Sequence, residues 1–135
     1  MRSTVLCMAL ATASSMAVAV DATRVARSPV LRDVEGFAIA SCLASQSTAY
    51  LKRQGDAWAS AIIQRGKGDV EVLGALQAVV ERELSTYPMD VAPNESEPGT
   101  TMTLELMYCG EIVDRPAVRR AIGRAVSKLK PAYRR

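Results

Sequence analysis

The segment SPVLRDVEGFAIASCLASQSTA, Ser28–Ala49, decides the fold. Its apolar residues Leu31, Val34, Ala38, Cys42 and Ala49 follow steps of three and four, and Phe37 and Leu43 widen the stripe. That period describes an amphipathic helix. Pro29 after Ser28 gives it a start, because proline is tolerated in a first turn. The small residues Ala38, Ala40, Ser41, Ala44 and Ser45 let a second helix come close. A helix with a thick apolar stripe and a small-residue face belongs inside a bundle.

Reading outward, Gly55 and Asp56 punctuate the chain, and Asp56 caps a second helix through Trp58, Ala59, Ile62 and Ile63 to Gly66. RGKGD (Arg65–Asp69) is a turn, and Asp69 caps a third helix whose buried side is Leu73, Leu76, Val80, Leu84 and Tyr87. Pro88 ends it. The stretch YPMDVAPNESEPGTT, Tyr87–Thr101, is the only long irregular segment, rich in proline and acid. Loops of that length in compact domains are usually functional or disordered. Met102, Leu106, Cys109 and Val113 form a fourth helical stripe, with Leu104, Met107 and Ile112 beside it. After Asp114 and Pro116 a final helix carries Val118, Ala121, Ile122, Ala125 and Leu129, and Pro131 closes it. No strand is expected. The fold class is all-α: a compact bundle of about five helices in a single domain, 31–130, after a short lead at 20–30.

Residues 1–19 read as a signal peptide. Arg2 is followed by the apolar run Val5–Ala13, and Ala17 and Ala19 form the small pair before cleavage. The run is too short for a membrane span, and Cys7 precedes most of the apolar core, so no membrane anchor is expected. Cleavage leaves 116 of the 135 residues and removes Arg2 and Cys7, which takes the net charge from +3 to +2. The two remaining cysteines, Cys42 and Cys109, read as a disulfide in an exported protein, the alternative being two buried thiols.

The chain has no histidine, which excludes Ser-His and Cys-His nucleophile pairs, His-ligated zinc and imidazole shuttles. Catalytic residues, a cofactor and a metal are all expected to be absent. Carboxylates are the remaining acid–base groups, and nothing in the spacing of Glu81, Glu83 and Glu105 forces two into one cleft. RGKGD lacks the full phosphate-loop pattern. The basic side of the last helix (Arg115, Arg119, Arg120, Arg124, Lys128, Lys130) has no interleaved aromatics, and over the whole chain acidic residues nearly balance the basic total. Nucleic acid is therefore not the expected partner; solvation, pairing with the acidic third helix or a dimer contact fit better. Trp58 and Tyr50 read as core and edge aromatics. Candidate partner-binding residues lie on the irregular segment: Tyr87, Met89, Asp90, Asn94, Glu95 and Glu97. Tyrosine and methionine give apolar contact, carboxylates direct docking, and prolines reduce the entropy lost on binding.

Two segments carry a family resemblance. FAIASCLA, Phe37–Ala44, resembles the first cysteine helix of type VI secretion amidase immunity proteins, the fourth family of the Tai group. LELMYCGE, Leu104–Glu111, with Asp114, Arg115 and Ala117–Arg119, resembles that family's second-cysteine segment, although Gly110 stands where an aliphatic residue is usual. The resemblance implies a periplasmic protein, often a homodimer, that neutralises a secreted papain-like cysteine amidase acting on peptidoglycan. It also implies a loop inserted into the enzyme's groove, here Tyr87–Glu97. The competing expectation is a periplasmic chaperone or structural adaptor using the same helical surfaces.

Overall fold

The computed structural model describes residues 27–134; the expected leader at 1–19 lies outside the described residues. Five helices form the domain: α1 (Pro29–Ala44), α2 (Ala49–Arg65), α3 (Glu71–Thr86), α4 (Glu105–Glu111) and α5 (Pro116–Tyr133). A 3-10 turn, Ile112–Asp114, links α4 to α5, and two short strands, β1 (Val91–Pro93) and β2 (Thr101–Thr103), stand between α3 and α4. Cys42 and Cys109 are joined by a disulfide across 67 residues. The helical bundle is as the periodicity implies, and the disulfide is as the even cysteine count implies.

α1 is the axis of the bundle. It starts as expected, with Ser28 Oγ accepting from the Leu31 N–H at 3.3 Å and Pro29 in the first turn. It is buried nearly all round and packs against every other helix. Val34, Phe37, Ala38 and Cys42 meet Leu73, Leu76 and Val80 of α3 and Val118, Ile122 and Leu129 of α5 in one core. α5 buries Val118, Ala121, Ile122, Ala125 and Leu129, a three-four pattern that leaves its cations in water.

Several boundaries differ from expectation. α1 stops at Ala44, five residues early, because the Gln46 side chain folds back: its Nε2 donates to the Cys42 carbonyl at 2.8 Å. α2 begins at Ala49, so Gly55 and Asp56 lie inside it rather than starting it. Gly55 is buried where α2 touches α1; a Cβ there would lie 2.3 Å from the Ala44 backbone nitrogen. The small faces do bring two helices together, with Gly55 as the contact rather than a break. Trp58 is 39% exposed, lying beside Gly36 at the surface rather than in the core. Pro131 sits within α5, which continues to Tyr133. Met102 belongs to β2 and Leu106 faces solvent, so of the expected stripe α4 buries only Cys109, beside Glu105 and Tyr108.

Two acids on α1 are buried and fully paired. Asp33 Oδ1 accepts from Arg65 Nε and Nη2 at 3.2 and 2.7 Å, and its Oδ2 accepts from the Tyr133 hydroxyl at 2.9 Å. One carboxylate thus holds the last turns of α2 and α5 onto α1. Glu35 accepts from Arg27 at 3.0 Å and from Arg119 at 2.7 Å, and Arg119 also reaches Asp114 at 2.5 Å. Hydrogen bonds to Asp114 and Glu35 raise the Arg119 pKa further above its ordinary value. Of the basic residues of α5, Arg119 therefore pairs with α1 and the preceding turn, and none pairs with the acidic third helix among the described residues.

Tyr133 gives a pH prediction. Burial first, and then its hydrogen bond to Asp33, raise its pKa above the ordinary value of 10.0. The neutral phenol is favoured in the fold, so the stabilisation is complete below pH 10 and is lost as pH rises through the folded-state value. Tyr133→Phe is expected to cost about 1 kcal/mol at pH 8, an ordinary net hydrogen-bond contribution. Urea titrations at increasing pH above 10 should show the gap between the two proteins closing. A gap independent of pH would refute the assignment.

Candidate functional site

The segment between α3 and α4 is an ordered antiparallel hairpin, which corrects the expectation of an irregular loop without strands. Val91 pairs with Thr103, Ala92 with Met102 and Pro93 with Thr101, and the Leu104 N–H donates to the Asp90 carbonyl at 2.9 Å. Strands of three residues leave no periodicity to read, and prolines normally argue against pairing. Here Pro93 ends its strand, in a two-stranded ribbon where both strands are edges.

The tip is closed by its own hydrogen bonds. The Asn94 N–H donates to Thr100 O at 3.0 Å, Glu97 N–H to Asn94 O at 3.2 Å and Thr100 N–H to Glu97 O at 3.1 Å. Asn94 Oδ1 accepts from the Ser96 N–H at 3.1 Å, a local turn of the kind asparagine favours. Gly99 has φ +89°, the left-handed region that suits glycine.

The root is tied to the bundle at three points. The Arg115 guanidinium lies 4.8 Å from the Tyr87 ring centroid and 5.3 Å from that of Tyr108, within cation–π range of both. The Tyr108 hydroxyl donates to the Tyr87 carbonyl at 3.2 Å. Glu105, buried at the start of α4, accepts from Ser47 Oγ at 3.2 Å and Thr48 Oγ1 at 2.5 Å, which fastens α4 to the α1–α2 turn. Four residues after Glu105, Cys109 bonds to Cys42, with Gln46 Nε2 3.3 Å from its sulfur.

The six expected partner-binding residues fall into two groups. Tyr87 and Met89 are at the root: Tyr87 caps the end of α3 and is 45% exposed rather than on the helix's buried side, because the chain turns to extended backbone there, and Met89 packs against the core. Met89 also lines a cleft of about 400 Å³ with Gln46, Glu81 and Leu84. Asp90 is exposed where the ladder begins, Asn94 shapes the turn, and Glu95 and Glu97 are exposed at the tip. Neither tip carboxylate makes an ion pair among the described residues. Missing from the expected set are Val91 (60% exposed), Met102 (50%) and Leu106 (67%). The alternation in Thr101-Met102-Thr103 is the available signal, although Met102 and Leu106 also fit a helical stripe.

Of the carboxylates considered for acid–base work, Glu81 and Glu105 are engaged by neighbouring side chains. Both oxygens of Glu105 are held by hydroxyls, and Glu81 accepts from Gln77 at 2.9 Å. Among the described residues, no group of three or more Cys, Asp or Glu could hold a metal ion, and no helix is long and apolar enough to cross a membrane. What the site offers is a braced hairpin with Val91 and Met102 exposed on its strands and an acidic tip. No family model, curated protein or solved structure matches the chain.

Proposed function

We propose that this chain is a non-catalytic immunity protein, exported to the periplasm, whose hairpin occludes the groove of a type VI secreted papain-like peptidoglycan amidase. The observation that carries the reading is the hairpin: closed at its tip by backbone hydrogen bonds and rooted beside a disulfide. A segment already held in one conformation loses little entropy on docking. Glu95 and Glu97 would meet an enzyme imidazolium, and Val91 and Met102 would displace water from the groove. A desolvated charge pair contributes only with good geometry, so the apolar contacts would carry much of the affinity. The likeness of FAIASCLA and LELMYCGE to the immunity family, together with the leader at 1–19, supports the same reading.

The test is release of soluble fragments from peptidoglycan by a papain-like amidase encoded beside this chain. Excess protein should abolish release. A variant with Pro93–Thr101 replaced by a two-residue Asn-Gly turn should keep the wild-type melting curve while its inhibition constant rises at least about 100-fold, as for loss of a central hot spot. Unimpeded cleavage in the presence of excess wild-type protein would overturn the immunity reading. Equal inhibition by the shortened variant would remove the hairpin from it.

A further inference from the structure

α5 has no acidic residue from Pro116 to Tyr133. Its exposed side sets Arg120, Arg124 and Lys128 in one row at four-residue steps, about 6 Å of helix per step. Gly123 and Ser127 stand between the cations, and their small size leaves a shallow, wide-open trough along the helix. A Cβ on Gly123 would meet nothing within 4 Å. The trough adjoins a notch of about 70 Å³ against α3, where Val72, Ala75 and Leu76 supply an apolar wall.

The charge in this trough is uncompensated. Among the described residues, no carboxylate lines the trough or the notch, and none of the three cations makes an ion pair. Arg119, on the neighbouring side of the helix, is held by two carboxylates. Like charges one turn apart repel, and a ligand that neutralises them removes that repulsion.

The shape and the wall select the ligand class. A membrane-surface helix sets large apolar side chains beside its cations, whereas every exposed large hydrophobic residue of the described chain lies between Tyr50 and Met107, outside α5. Nucleic-acid grooves stack bases on aromatic rings, and no aromatic residue lines this trough. A row of cations at helical pitch beside an apolar strip complements a helix carrying carboxylates at the same pitch and an apolar edge.

We propose that the α3–α5 trough is a docking groove for an acidic amphipathic helix of a partner protein. Its carboxylates pair with Arg120, Arg124 and Lys128, and its apolar edge lies on Val72 and Ala75. The surface shares no residue with the hairpin, so a partner bound here leaves the hairpin free.

The probe is a labelled, alanine-rich amphipathic peptide with glutamate at every fourth position and leucine along the adjoining edge, followed by fluorescence anisotropy. The protein should bind it at least about 10-fold tighter than a scrambled isomer, with affinity falling as salt rises. Arg124→Glu/Lys128→Glu should weaken binding at least about 10-fold, and a lysine-for-glutamate peptide should bind that variant in preference to wild type, which separates charge reversal from misfolding. Equal affinity for the scrambled isomer, absence of binding, or tighter binding to phosphatidylglycerol vesicles or duplex DNA would each overturn the proposal. The assay contains no amidase, so its failure leaves the immunity reading untouched, and the converse holds.

Discussion

Cys42→Ala/Cys109→Ala is expected to lower the unfolding free energy by about 4 kcal/mol, the chain-entropy value for a closed loop of this length. The bond joins positions 67 apart, and both residues are fully buried. In a domain of this size that corresponds to a fall of about 15–25 °C in the melting midpoint. The damage should concentrate where the bond acts. α4 is only seven residues long and turns Leu106 and Met107 to solvent. It holds its place through Tyr108, Cys109 and the Glu105 bonds to Ser47 and Thr48. Hydrogen exchange on the double variant should therefore accelerate most in residues 105–114 and in the hairpin. A midpoint shift of less than about 5 °C, close to the effect of a single kcal/mol, would mean that the packed core suffices without the staple.

Gly55→Ala is expected to cost about 2–3 kcal/mol, in the range of overpacked cores, even though alanine favours helix by about 1 kcal/mol. The new methyl would lie 2.3 Å from Ala44 N, 2.6 Å from Ala40 O and 2.8 Å from Leu43 C. All three atoms are backbone of α1, so no rotamer change can relieve the overlap. α2 would have to move off α1 along the most extensive helix contact in the molecule. Gly74→Ala is the control. It is exposed in α3 with nothing within 4 Å of its Cβ position, and helix propensity alone should stabilise it by about 0.5–1 kcal/mol. Opposite signs in paired urea titrations are the expected result, and a neutral Gly55→Ala would show that the two helices are not held at this contact.

Patterns that are local and repeat are legible in the sequence. The apolar stripes of α1, α3 and α5 each run over several turns, and so located their helices and their buried sides. The cysteine pair followed from an even count behind a leader-like start. Features that depend on distant partners were not readable. Asp33 and Glu35 look like solvated charges on a helix; their partners Arg65, Tyr133 and Arg119 lie 32, 100 and 84 residues away. Gly55 looked like a break because glycine has two uses, and only the approach of α1 shows which applies. The hairpin hid for a different reason. Its strands are three residues long, and the hydrogen bonds that order it join the ends of a proline-rich stretch. The sequence marks residues 87–101 as a candidate segment, while their hydrogen-bonded order and the exposure of Val91, Met102 and Leu106 are visible only in the fold.

The Gln46 amide, set against both sulfurs at 3.6 and 3.3 Å, has a consequence for how the molecule meets its surroundings. With Cys42 and Cys109 wholly shielded from solvent, a dissolved thiol reaches the bond only during a transient lifting of α4 from α1. Scission by glutathione should then proceed at a pace set by that fluctuation and level off as reductant concentration grows. The same seal works in reverse during biogenesis: oxidation is fastest before final closure, because the finished interior admits an oxidant only through the same fluctuation.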